Sequence, residues 1–301
     1  MKYFIDNLIE KIEEKNSRIC VGLDPHLNLM PASVLDSALL KNPQENQKEI
    51  AEAILYFNKE IIEATAEHTA VVKPQMAFYE KLGTAGMETL WKTINYAWQK
   101  GLLVLLDGKR NDIGSTAKAY AEAYLHVDSG ADSLTINPYL GRDGITPFLE
   151  DKTKGAFALL KTSNPSSADI QDLKLNNGKK VYEAVALFLA KIAEDYLGKT
   201  GYSNLAAVVG ATYPKELAEI RALIPSIFFL IPGYGAQGGG AKDVKAAFDK
   251  QGRGAVINSS RGINFAYRKE EYKDLAPQNF GKAAALAAKK MKNDINSVLD
   301  L

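Results

Sequence analysis

The sequence predicts an α/β protein, a (β/α)8 barrel of the TIM type folded as a single domain over residues 1–301. Three observations predict it. Short apolar runs, often β-branched, recur along the chain, each ending in Gly, Pro, Asp, Asn or Ser; such runs read as strands buried on both faces, as in a parallel sheet. Helical patterns with one apolar face separate most of them. The length of 301 residues suits one barrel, and no Pro/Ser-rich linker divides it.

The strand-like runs are RICVGLD (18–24), AVVKPQ (70–75), LLVLLDGK (102–109), SLTINP (133–138), AFALLKTS (156–163), AAVVGAT (206–212), IFFLIPG (227–233) and GAVINSS (254–260). Ahead of the first, MKYFIDNLIEKIEEKNS is amphipathic and lacks the apolar core of a signal peptide. Residues 46–67 place Ile50, Ile54, Phe57 and Ile61 on one helical face, and 179–198 and 279–299 behave similarly. Pro214-Lys215-Glu216 reads as a helix start with Pro in the first turn. ITPFLEDKTKG, between the fourth and fifth strands, is only a weak helix pattern, and NPSSADIQDLKLNNG (164–178) reads as a long surface loop. An open doubly wound sheet is the alternative fold, but no GxGxxG follows the first strand.

Composition excludes several function classes. With a formal net charge of +1, no broad basic surface points to nucleic acid or an anionic membrane. No segment approaches the ~18–20 apolar residues of a membrane-spanning helix, so a soluble cytoplasmic protein is expected. The single cysteine, Cys20, rules out an internal disulfide and, with three histidines, a Cys/His zinc cluster. In Ile19-Cys20-Val21 it reads as a buried structural thiol.

A barrel carries its chemistry at the C-terminal ends of the strands. Asp24, Lys73, Asp107, Lys109, Asn137 and Ser163 fall there. Asp24, before Pro25, equally fits the start of a turn. Lys73, inside VVKP, falls where a strand is still buried and needs a partner or a purpose. Asp107 and Lys109 are two apart, so they extend the inward row of Leu103 and Leu105 into the mouth, with Asp112 three residues further on. A lysine between two carboxylates is held protonated. With Lys73 added, cation and anion alternate in an array suited to proton donation and needing no metal, although a purely structural ion-pair network remains an alternative. The last two strands lead into PGYGAQGGG (232–240) and SSRG (259–262), the usual phosphate site of this fold. Glycines admit backbone N–H groups to an anion, and Arg261 offers a two-point donor. These residues imply a small phosphorylated substrate held across the mouth, its reacting end near strands 2 and 3. His26, His68 and His126 read as peripheral or helix residues, and no nucleophile–histidine pair is visible.

DGKRNDIGST (107–116) resembles the Asp-x-Lys-x-x-Asp-Ile-x-x-Thr signature of the orotidine 5′-phosphate decarboxylase family. VGLDP, VVKPQMAFYE, NPYLGRDG, KTSNP, VVGAT, IPGYGAQGG and NSSRGI extend the resemblance over nearly the whole chain, to the longer bacterial-type form. The resemblance implies a homodimeric barrel that converts orotidine 5′-monophosphate to UMP and CO2 in pyrimidine biosynthesis, with no metal and no organic cofactor. It further implies that Lys73, Asp107, Lys109 and Asp112 form the charged catalytic tetrad, Asp112 and Thr116 reaching the partner subunit's site. Asp24 then matches the ribose-hydroxyl ligand, Ser163 the residue that reads the pyrimidine amide edge, and Gln237 and Arg261 the phosphate contacts. Segment 166–178 matches the family less well and receives no role. Two other readings remain at this level: a related Mg2+-dependent sugar-phosphate decarboxylase or aldolase-like barrel, and a catalytically silent phosphate-ligand-binding barrel.

Overall fold

In the computed structural model, residues 2–126, 128, 130–210, 214–234, 240–275 and 277–301 are described. Eight strands form a closed barrel in sequential order: β1 (Ile19–Leu23), β2 (Val71–Pro74), β3 (Leu103–Arg110), β4 (Ser133–Ile136), β5 (Gly155–Lys161), β6 (Leu205–Val209), β7 (Phe229–Ile231) and β8 (Ala255–Ser259). Every neighbouring pair is parallel, and β8 pairs with β1. Closure removes the open-sheet alternative.

The strand period of two sorts side chains into two cores. Leu103 and Leu105 face the barrel interior with Val71, Phe157, Val208, Leu230 and Val256. Val104 and Leu106 face outward, into the larger core between strands and helices. Helix Gln47–Thr65 buries Ile50, Ile54, Phe57 and Ile61 there, as its periodicity requires. Helix Phe280–Leu299 also packs on it, and Pro214 opens helix Pro214–Leu223.

The amphipathic N-terminal segment becomes helix Phe4–Glu14, and it forms the barrel's floor. Its Phe4, Ile5, Leu8, Ile9 and Ile12 join the inner core, and Ile5 N donates to Asn204 Oδ1 at 3.0 Å just ahead of β6. Gly155, at the start of β5, has to be glycine because a Cβ there would lie 2.2 Å from the Phe4 ring. Cys20 is fully buried in the same core, and desolvation raises its thiol pKa to about 12, so it is an inert structural group.

Two connections differ from a plain βα unit. Between β4 and β5 the chain makes three 3-10 turns, Pro138–Leu140, Arg142–Gly144 and Thr146–Leu149, instead of a helix. Pro138 starts the first, Pro147 is the second residue of the third, and Gly141 at φ 81° lies between the first and second. The 164–178 segment carries a turn, Pro165–Ser167, and a short helix, Ala168–Gln171, and so is more ordered than its polar composition predicts. No helix among the described residues is long and apolar enough to cross a membrane.

Candidate active site

The site begins at an irregularity in β3. Leu106 is paired with Leu134, but Arg110 is paired with Ile136, so β3 advances four residues while β4 advances two. The surplus bulges at Asp107, Gly108 and Lys109. Lys109 sits in the left-handed region at φ 47°, an uncommon state for a residue with a Cβ. Its backbone N–H, displaced from the regular ladder, donates instead to Thr135 Oγ1 at 2.9 Å. Gly108 keeps the bulge close to its neighbours, since a Cβ there would lie 2.6 Å from Met76 Sδ. Bulges re-aim side chains beside functional sites, and this one turns two charged groups into the mouth.

Asp107 is the hub. Its Oδ2 accepts from Lys73 Nζ at 2.7 Å and from Gln75 Nε2 at 3.0 Å. Its Oδ1 accepts from Lys109 Nζ at 2.6 Å and from Thr135 Oγ1 at 2.9 Å. Lys73 and Asp107 are 4% and 7% exposed, so this ion pair works in a low dielectric, where every remaining lone pair needs a donor. Burial alone would raise the Asp107 pKa; the charges of Lys73 and Lys109 and their hydrogen bonds overcome it and hold the carboxyl well below its ordinary value. Burial would likewise lower the Lys73 pKa, but Asp107 and then Asp24 hold its ammonium above the usual lysine value. The buried Lys73–Asp107 pair is therefore fully ionised at neutral pH.

This array forms one wall of a cleft of ≈ 380 Å³ that Asp24, Ser163 and Arg261 also line. Asp24 Oδ1 is buried without a hydrogen-bond partner among the described residues, as is Asn258 Oδ1 on β8. Gly22 leaves room for the β8 loop, because a Cβ there would lie 1.9 Å from Ser260 Oγ. Arg261 is exposed at the start of the short helix Arg261–Asn264, where it lines both this cleft and an adjoining cavity of ≈ 400 Å³. Gln237 lies outside the described residues.

Asp112, Thr116 and Asn137 lie apart from the array within this chain. Lys109 forms its ion pair with Asp107, whereas Asp112 Oδ1 accepts from the adjacent Ile113 N at 2.8 Å and Asp112 does not line the cleft. The chain has left the sheet after Arg110, so strand alternation no longer aims its side chains. Thr116 is exposed on helix Gly114–Ala121. Asn137 takes a turn role, its Oδ1 accepting from Tyr139 N at 3.0 Å.

Gln75, Thr135 and Asn258 are the site residues that sequence reasoning missed. Gln75 carried a usable signal, since it lies two residues after Lys73 and shares its face. Thr135 is one of two hydroxyl residues in the short strand Ser133–Ile136, and nothing in the sequence marks it as the one that meets Asp107. Arg110 points outward from Lys109, as alternation predicts. It pairs with Glu80, stacks over the Tyr120 and Tyr124 rings at 5.7 and 5.1 Å, and donates to Gly108 O at 3.0 Å.

Closed parallel barrel, charged strand ends and a mouth cleft together define a (β/α)8-barrel enzyme. Residues 17–274 match the family described as "Orotidine 5'-phosphate decarboxylase / HUMPS family", and the chain belongs to that family. Orotidine 5'-phosphate decarboxylase of Rhodopirellula baltica is 45% identical over 98% of this chain and 99% of its own length. The enzyme of the same name from Clostridium perfringens strain ATCC 13124 is 43% identical over 98% of each chain. Among solved structures, Leishmania donovani OMP decarboxylase superposes with a TM-score of 0.77 at 32% identity, covering 99% of both chains.

Proposed function

We propose that the whole chain, residues 1–301, works as one decarboxylase domain that converts orotidine 5′-monophosphate to UMP and CO2 in pyrimidine biosynthesis. The observation that carries this reading is the saturated Lys73–Asp107–Lys109 array facing the same cleft as Asp24, Ser163 and Arg261, in a chain with full-length relatives of that name. Asp24 binds the ribose hydroxyls, Ser163 the pyrimidine amide edge, and Arg261 with Gln237 the phosphate. The C6–carboxylate bond then lies against Asp107. As it breaks, CO2 leaves and the electron pair remains on C6. The Lys109 ammonium stabilises that carbanion by its field and then gives it a proton, becoming a neutral amine that solvent reprotonates. Lys73 and Lys109 hold the Asp107 carboxyl below its ordinary value, which opposes relief of its contact with the substrate carboxylate by protonation. Loss of CO2 relieves it instead. Phosphate binding, remote from C6, assists closure of the loops over the site.

Mixing the protein with orotidine 5′-monophosphate and following loss of its ultraviolet absorbance tests this directly. Turnover that survives EDTA supports the reading. Activity abolished by EDTA and restored by Mg2+ would favour the Mg2+-dependent sugar-phosphate reading, and folded protein with no turnover the silent-binder reading.

The working unit in this proposal is a cytoplasmic homodimer in which Asp112 and Thr116 complete the partner's site. Two features support it: Asp112 does not line its own cleft, and Ile113 and Tyr139, near it in the fold, are 54% and 86% exposed. Mixed Lys109→Ala and Asp112→Ala chains, each inactive alone, should regain activity, because random reassortment restores roughly a quarter of the sites. No recovery after verified subunit exchange would show that the sites are not shared.

A further inference from the structure

The 164–178 segment has no part in the chemistry above, yet its hydrogen bonds converge on one strand end. Near its C-terminus β5 also bulges: Leu159 is paired with Val208, but Lys161 with Val209. The bulge turns Lys161 out of the barrel, where it is 4% exposed and its ammonium meets both carboxylate oxygens of Asp172 at 2.9 and 2.8 Å. Lys180 also pairs with Asp172, at 3.2 Å. The next residue is gripped twice by a single side chain. Thr162 N donates to Gln171 Oε1 at 2.9 Å, and Gln171 Nε2 donates to Thr162 Oγ1 at 2.8 Å. The backbone N–H requires an acceptor, which fixes the orientation of the Gln171 amide and leaves its NH2 for the hydroxyl. Thr162 Oγ1 passes its own proton to Asn164 Oδ1 at 2.6 Å. Ser163 follows directly and lines the cleft. On its other side it packs against Gly210, where a Cβ would come within 3.0 Å of Ser163 Cβ and N.

We infer that Gln171 is a positioning residue for Ser163: it clamps Thr162, Asp172 anchors the same turn through Lys161, and the 164–178 segment thereby sets specificity for the pyrimidine. This rests on the reading that Ser163 contacts the base. Ser163 is held between Gly210 and Thr162, so releasing Thr162 leaves it with one wall. A loosened loop binds the base less well and leaves the phosphate and ribose contacts on other strands intact.

The experiment compares wild type, Gln171→Ala, Gln171→Glu and Ser163→Ala for affinity toward UMP and toward ribose 5-phosphate, with kcat and KM. Gln171→Ala should raise Kd for UMP and KM about tenfold, leave ribose 5-phosphate affinity within about twofold, and change kcat less than KM. Gln171→Glu keeps the acceptor for Thr162 N–H and should recover part of the loss; it carries the same ligand comparison if the alanine variant does not fold. An unchanged UMP affinity in Gln171→Ala alongside a weakened one in Ser163→Ala would overturn the clamp alone. Unchanged UMP affinity in Ser163→Ala would overturn the base reading beneath it. Equal weakening toward both ligands would show a general structural loss and overturn the positioning role.

Discussion

The two halves of the barrel mouth differ in how complete they are. On the β2–β4 side, the polar groups converging on Asp107 satisfy one another: both of its oxygens are used, by Lys73, Gln75, Lys109 and Thr135. On the β8 side, Asn258 Oδ1 is buried with no partner among the described residues and Arg261 stands exposed. The first half is a preorganised field, with its groups already oriented by one another. The second offers open donors and acceptors that a ligand would complete. Such a division suits catalysis, because a field fixed in advance costs no reorganisation at the moment of reaction. Binding energy collected on the incomplete side can then be used at the reacting centre.

Breaking the preorganised half should produce the largest effects. Lys109→Ala removes the proton donor and should lower kcat on the order of 10^4-fold, with UMP affinity changed only slightly. Steady-state kinetics with a binding titration checks this, and substantial remaining turnover would refute the proton-donor role. Asp107→Ala should cost about 3–5 kcal/mol of stability, because it leaves Lys73 buried without its first partner. The pH dependence sharpens this prediction. In the wild type the Asp107 carboxyl is held below 3.8 and the Lys73 ammonium above 10.5. The first contributes stability above 3.8 that is lost as pH falls through its depressed value. The second contributes below 10.5 and is lost as pH rises through its raised value. The pair's contribution is therefore flat across neutral pH. In Asp107→Ala, burial is less opposed and lowers the Lys73 pKa, the unfolded chain binds the extra proton, and stability should rise toward alkaline pH. Urea midpoints at about pH 7 and about pH 9.5 would read that slope.

On the incomplete half, effects should fall on binding. Arg261→Ala should weaken UMP by about 10–100-fold, the worth of a charge-assisted contact to phosphate, with a smaller change in kcat. Isothermal titration with UMP measures it, and an unchanged affinity would remove Arg261 from the phosphate site.

The same contrast governs what could be read in advance. The inward row Leu103, Leu105, Asp107, Lys109 is expected from the strand period, although a bulge the period does not foresee aims its last two members, and the buried Lys73 follows from its place in an apolar run. Strand order and closure follow from eight similar runs. The partners of those charges were not legible, because they are supplied across strands: Thr135 reaches Asp107 from 28 positions away and Gln75 from 32. The N-terminal pattern was visibly amphipathic, but only the closed barrel supplies the open end for it to cover. The 164–178 segment looked like solvent-exposed loop because its polar residues bond to β5, and composition does not distinguish that from bonding to water. Asp112 reads as part of a charge cluster, yet its direction depends on where the strand stops.

Thr135→Val gives the smallest and most discriminating test of the preorganised half. The hydroxyl has two jobs there, donating to Asp107 Oδ1 and accepting from the Lys109 N–H that the bulge takes out of the regular ladder. Valine keeps the shape and removes both. An unsatisfied buried group costs about 1–3 kcal/mol, and the left-handed backbone of Lys109 loses one of its restraints. Asp107 keeps three donors and stays ionised, so the array survives but its geometry loosens. The expected result is a fall in kcat of about tenfold with KM nearly unchanged, and recovery in Thr135→Ser, which restores the hydroxyl. Wild-type kinetics in Thr135→Val would mean that Arg110, gripping Gly108 O from the outer face, holds the bulge without help from β4.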